Sequence, residues 1–286
     1  MGNGIAHVFA QNGYQVVMAD ISENALQKAI QVISKNIDRI IQKGGLTESQ
    51  KEEILGRIQT QTDISKAVSN ADLIVEAATE NVALKLKIFT EISQAAPEHA
   101  IMASNTSSIS ITRIASATTR PQQVIGMHFM NPVPVMKLVE IIKGYSTSSE
   151  VLEKIVEVTK SLQKIPVEVN DYPGFVSNRI LMTMLNEAFY TLYEGIAGVE
   201  EIDSVMKLGM AHPMGPLQLA DFIGLDVCLA ILRVLQDGFG NPKYAPCPLL
   251  INMVTAGKLG VKSGEGFYQH TQGSKELIVS PQFAAK

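Results

Sequence analysis

His128 and Glu140 are the residues of this chain whose types and spacing best suit acid–base work. His128 lies near the end of an apolar run, Val124 to Phe129. Glu140 lies inside another, Leu138 to Ile142, and Pro132 and Pro134 turn the chain between them. Neighbouring strands would set the carboxylate against the imidazole, and an imidazole oriented by a carboxylate is a workable general base near neutral pH. On spacing alone, a satisfied core histidine and a surface glutamate account for the same residues. Ser104-Asn105-Thr106-Ser107-Ser108 follows a further strand-like run, Ile101 to Ser104. Strand ends on one edge of an open α/β sheet form the crevice where ligands bind, so both segments point to one site. Ser107 reads either as a polar group of that site or as a helix cap; no acyl-enzyme motif surrounds it, which disfavours a nucleophile. Asn178 shares the apolar face of a helical segment with Leu181 and Leu185. A buried amide there needs a partner, which a structural hydrogen bond between domains supplies as readily as catalysis does.

The elements that must position these groups are legible from periodicity. Strand candidates are Gln15 to Asp20, Leu73 to Ala77, Ile101 to Ser104, Val124 to Phe129, Leu138 to Ile142 and Val167 to Val169, with helical patterns between them. Alternation of this kind implies a doubly wound, mostly parallel sheet covered on both faces. After the turn-like Asp171-Tyr172-Pro173-Gly174 the pattern becomes helical almost to the end. The expected organisation is an α/β domain over residues 1–170 and an all-helical domain over 171–286. The broad apolar stripe from Phe175 to Leu192 can serve two neighbours at once, which suggests a dimer interface.

Between Asp20 and the strand-like stretch near Ile58 the chain is far longer than one helix of ~11 or 12 residues requires. Gly44-Gly45 breaks it, and Thr47-Glu48-Ser49-Gln50 fits a capping box that starts a second helix. The resulting helical hairpin carries Lys43, Lys51 and Arg57. These are either solvated surface cations or contacts for a phosphorylated substrate.

A dinucleotide fold opens with a strand, then a Gly-x-Gly-x-x-Gly turn whose amides and helix N-terminus hold the pyrophosphate. Gly2-Asn3-Gly4-Ile5-Ala6-His7-Val8-Phe9-Ala10 has the small residues and apolar spacing of the helix that follows such a turn. Asp20 then ends the next strand, where an acidic residue takes the adenine-ribose hydroxyls and favours NAD over NADP. A turn or cap role explains the same Asp. The strand that should precede Met1 would be central, so without it two neighbouring strands each lose a ladder partner. The expectation is that residues upstream of the written start supply that strand and the first two glycines.

Composition sets the outer bounds. The chain has 286 residues, of which 46% are hydrophobic and 18% charged, which excludes intrinsic disorder. A net charge of −4 and a pI near 5.8 argue against nucleic-acid or anionic-membrane partners. No apolar run approaches the roughly 18 residues of a membrane span, and no export signal opens the sequence. Cys228 and Cys247 stand far apart, so neither a disulfide framework nor a cysteine metal site is indicated, and a reducing cytoplasm is the default.

Four segments together resemble the 3-hydroxyacyl-CoA dehydrogenases, and in particular their single-function, short-chain bacterial members. These are Ser104 to Ser108; His128-Phe129-Met130-Asn131-Pro132-Val133-Pro134-Val135-Met136-Lys137-Leu138-Val139-Glu140; Asp171 to Phe175 with Asn178-Arg179; and His212-Pro213-Met214-Gly215-Pro216. The resemblance covers nearly the whole chain. It implies hydride transfer between NAD and C3 of an acyl-CoA, 3-hydroxybutyryl-CoA being the short-chain case. It assigns His128 as general base, Glu140 as its orienting carboxylate, and Ser107 and Asn178 as holders of the substrate oxygen, with Asn131 bordering the same pocket. Gly2, Asp20, Glu80, Lys85 and Asn105 fall on positions that contact NAD. Lys43 and Lys51 lie on the hairpin that faces CoA phosphates, and a homodimer through the helical domain is expected. Of the glycine-rich turn only its last glycine, Gly2, stands in this chain. Two other readings of the same residues are a related NAD enzyme for 3-hydroxy acids that carry no CoA, and a structural or binding homologue without catalysis.

Overall fold

A computed structural model describes residues 1–271, 273 and 276–284. The chain divides into two compact units, Met1–Tyr172 and Pro173–Lys286.

The first unit begins with α1 (Gly2–Gln11), β1 (Val16–Ala19), α2 (Glu23–Gln42), α3 (Glu48–Gly56) and β2 (Ile58–Gln61). It continues with α4 (Ile64–Val68), β3 (Leu73–Glu76), α5 (Val82–Ala95), β4 (Ile101–Ser104) and α6 (Ile111–Ala115), then β5 (Val124–Phe129), β6 (Leu138–Lys143), α7 (Ser149–Ser161) and β7 (Ile165–Asn170). The helical hairpin is α2 and α3. Ser22 caps α2 by accepting the Ala25 amide, and Thr47 and Gln50 close a reciprocal capping box at the start of α3. One sheet runs β3-β4-β5-β6-β7, parallel at every ladder except β5 against β6. The last strand is longer than the expected Val167 to Val169 because β7 pairs with β6 along its whole length, from Leu138↔Ile165 to Lys143↔Asn170.

β1 pairs with β2 in a separate parallel sheet, and among the described residues no ladder joins β1 to β3. A groove of about 2170 Å³ runs along both strands, lined by Val16, Met18, Leu73 and Val75 and floored by Ile5 and Phe9 of α1. The doubly wound, mostly parallel α/β pattern expected from the sequence is present, with β1–β2 and β3–β7 hydrogen-bonded as two ladders on either side of this groove.

The second unit contains α8 (Ser177–Tyr193), α9 (Val199–Ser204) continued by a π-turn, α10 (Pro216–Ile223), α11 (Leu225–Phe239) and α12 (Pro248–Thr255). Met182, Leu185, Phe189, Leu217, Leu232 and Phe267 are buried in its core. Gly174 holds φ +72 at its entrance, and a Cβ there would stand 2.6 Å from Leu235, so only glycine fits. The unit is not wholly helical as expected. Two short antiparallel strands, β8 (Tyr268–Gln269) and β9 (Ile278–Val279), lie near its end. Their cause is a distant carboxylate: buried Asp221 accepts the amides of Phe267 (3.0 Å) and Tyr268 (2.9 Å) and holds that backbone extended.

Candidate active site

The antiparallel β5–β6 ladder sets His128 directly opposite Glu140. Gly126 makes this approach possible, since a Cβ there would lie 2.7 Å from Ile142 on the facing strand. Both side chains are buried, and His128 Nδ1 lies 2.8 Å from Glu140 Oε2. The carboxylate accepts the Nδ1 proton, which fixes the tautomer and leaves Nε2 as the nitrogen for proton exchange.

The Ser104–Ser108 loop is joined to this pair. Asn105 Oδ1 accepts the amide of Phe129, the residue after His128, at 2.9 Å. The Asn105 amide itself donates to Glu76 O at 2.7 Å. Ser107 donates to the Glu80 carboxylate through both its amide (2.6 Å) and its hydroxyl (2.8 Å), and the Thr106 hydroxyl reaches the same group.

Lys85 is 1% exposed, and its ammonium donates to both oxygens of Glu76 and to Ala78 O; Glu80 lies 3.6 Å away. Sequence reasoning pointed to the Ser104–Ser108 segment but missed Glu76, although a charged residue inside the apolar run Leu73 to Ala77 is the available signal, because a buried carboxylate must be paired.

Asn131 is exposed on the loop after β5. Lys164, also missed, fastens that loop by donating to Val133 O (2.6 Å) and Met136 O (2.7 Å), and burial lowers its basicity. Beside it, His7 on α1 is fully buried with neither ring nitrogen hydrogen-bonded.

The remaining sequence candidates are more scattered. Asp20 is exposed at the end of β1 and accepts the Ser22 amide at 2.9 Å. Gly2 opens α1, whose N-terminus has no side-chain cap; a Cβ at Gly2 would meet only Ala77, at 3.8 Å. The Gly4 amide donates to Asn3 Oδ1 at 2.8 Å, and the start of a ten-residue helix, an acidic strand end and the polar loops after β3 and β4 fit a dinucleotide. Lys43 is exposed at the end of α2. Lys51 pairs with Asp38 across the hairpin, which raises its pKa, and Arg57 turns back to Ala10 O at 3.1 Å and to Glu53. In the second unit Asn178 is buried in the first turn of α8, its amide donating to Gly174 O at 3.1 Å.

Residues 1–172 match the family model described as "3-hydroxyacyl-CoA dehydrogenase, NAD binding domain", and residues 174–270 match "3-hydroxyacyl-CoA dehydrogenase, C-terminal domain". The probable 3-hydroxybutyryl-CoA dehydrogenase of Bacillus subtilis is 51% identical over 272 residues, covering 95% of this chain and 94% of that protein. The 3-hydroxybutyryl-CoA dehydrogenase of Bradyrhizobium diazoefficiens is 49% identical over 277 residues, covering 97% and 94%. The crystal structure of (S)-3-hydroxybutyryl-CoA dehydrogenase from Ralstonia eutropha superposes with a TM-score of 0.92 at 50% identity, covering 95% of this chain and 96% of that one.

Proposed function

The chain belongs to the 3-hydroxyacyl-CoA dehydrogenase family, and from that premise we propose that it interconverts 3-hydroxyacyl-CoA and 3-ketoacyl-CoA with NAD, the short-chain 3-hydroxybutyryl ester being the substrate. The observation that carries this reading is the buried His128–Glu140 contact of 2.8 Å, tied through Asn105 and Phe129 to the Ser104–Ser108 loop.

Gly2, Asp20, Glu80, Lys85 and Asn105 are the residues proposed to hold NAD, which would supply the acceptor or donor of the hydride at C3. In oxidation His128 Nε2 takes the proton of the 3-hydroxyl, and Glu140 stabilises the imidazolium that results. In reduction the imidazolium gives that proton back to the oxygen at C3. Ser107 and Asn178 are proposed as the donors that hold this oxygen as its charge changes. A serine has one hydroxyl proton and Ser107 gives it to Glu80, so it serves the substrate only by turning from that carboxylate. Asn131 is proposed to border the same pocket, and Lys43, with Lys51, to meet the CoA phosphates.

We assign residues 1–170 as the cofactor domain and 171–286 as the substrate and dimerisation domain. Ile180 and Val205, 65% and 60% exposed, line one apolar groove of the second unit with Met184 and Ile196, a surface suited to a second copy in a homodimer. No helix among the described residues is long and apolar enough to cross a membrane, and the two free, buried cysteines suit the cytoplasm proposed for it.

The deciding experiment is an NADH-consumption assay with acetoacetyl-CoA, run beside free acetoacetate. Turnover of the thioester alone is expected. Equal rates on both would remove CoA from the reading, and no NADH oxidation with either would remove the dehydrogenase. Light scattering of the eluting peak in size-exclusion chromatography is expected to give twice the chain mass; a monomer would rule out the dimer.

A further inference from the structure

We propose that Glu76, a residue the sequence pattern hides within a strand, is a positioning residue for this reaction, acting through Ser104 on the loop that presents Asn105 and Ser107. The inference rests on the dehydrogenase reading above and deepens it.

Glu76 ends β3 and pairs in register with Ser104 at the end of β4. Its carboxylate accepts Lys85 Nζ at 2.8 and 3.0 Å, Ser104 Oγ at 2.7 Å and the Ala78 amide at 2.6 Å. Glu76, Lys85 and Ser104 are all buried. With its own proton given to Glu76, Ser104 Oγ presents its lone pairs to the loop and accepts the Thr106 amide at 3.2 Å. The Glu76 carbonyl holds the Asn105 amide, and Asn105 Oδ1 holds Phe129 beside the base. One residue thus anchors both the start of the serine loop and, through Asn105, the backbone next to His128.

Stability alone is a weak reason for such a group. A buried ion pair loses to desolvation much of what it gains in attraction, and a well-packed apolar pair does as well or better. An apolar pair could not orient the Ser104 hydroxyl and the Ala78 amide at once. Lys85 also stands between two carboxylates, Glu76 beneath the loop and Glu80 at 3.6 Å, and Glu80 takes both polar hydrogens of Ser107. The arrangement fixes the loop from two sides, and a misplacement of about 1 Å in such a group can cost ~10²-fold in rate.

The test measures kcat and KM for acetoacetyl-CoA, with NADH, in wild type, Ser104→Ala, Glu76→Gln and the double variant, each alongside its melting temperature. Ser104→Ala keeps the ion pair and removes only the link. It is expected to lower kcat about tenfold or more with KM changed less than about twofold and the melting temperature near wild type. The double variant is expected to be no slower than Glu76→Gln, because both changes cut one path. Wild-type kcat in Ser104→Ala, or multiplying losses in the double variant, would overturn the positioning role while leaving the dehydrogenase intact. If Glu76→Gln does not fold, Ser104→Ala decides alone. Inactive wild type would overturn the dehydrogenase reading, and this inference with it.

Discussion

Glu140 Oε2 stands 2.8 Å from His128 Nδ1 because the two residues are direct cross-strand partners of an antiparallel ladder. The contact is therefore set by backbone register and not by side-chain flexibility. His128→Ala should lower kcat by about 10² to 10⁴, the loss expected for a general base, while NADH affinity measured by fluorescence titration stays unchanged. An unaltered rate would take His128 out of the mechanism. Glu140→Gln keeps the shape but removes the charge proposed to stabilise the imidazolium, and should lower kcat by a smaller factor.

Lys43 and Lys51 do not carry equal weight. Lys51 is engaged by Asp38, whereas Lys43 is exposed at the end of α2. Lys43→Ala should raise KM for acetoacetyl-CoA by about two- to fivefold, the range of one exposed charge contact, and the rise should shrink in high salt. An unchanged KM at low ionic strength would remove Lys43 from the CoA contact.

His7 makes stability depend on pH. Burial, reinforced by the charge of Lys164, holds its imidazole below the ordinary histidine range, so the folded chain keeps it neutral where the unfolded chain protonates it. Stability from this residue is complete above the unfolded value of about 6.5 and is lost as pH falls from there toward the lower folded value. His7→Leu should therefore gain in urea midpoint over wild type as pH drops from about 7 to 5. A pH-independent difference between the two would count against the account.

Tyr268 donates its hydroxyl to buried Asp203 at 2.8 Å, and the same carboxylate accepts the amides of Leu217 and Gln218. Tyr268→Phe leaves that carboxylate short of a donor inside the core. Urea denaturation should show a loss of about 1–3 kcal/mol. A loss below a few tenths would mean that the two amides suffice.

Legibility varied with the range of the interaction concerned. β4 and β5 have the residues expected of them, since short apolar runs bounded by polar turns need no distant partner to be recognised. The hairpin was legible because its capping box is closed between residues three apart, Thr47 and Gln50. β8 was not legible, because its extended backbone depends on Asp221, 46 residues earlier at Phe267. Glu76 was hidden for the same reason, its partners Lys85 and Ser104 lying nine and 28 residues away.

Residue types and their order alone determined the alternating α/β pattern followed by helices, the helical hairpin, and the segments around Ser107, His128 and Glu140, since these follow from local periodicity and short motifs. Tertiary structure decided the register that sets His128 opposite Glu140, the Glu76 and Glu80 contacts around the serine loop, the engagement of Lys51 by Asp38, and the groove between β1 and β3. Each of these depends on which strand edges and side chains meet across long stretches of chain. Periodicity along one segment carries no record of what lies beside it in the folded molecule.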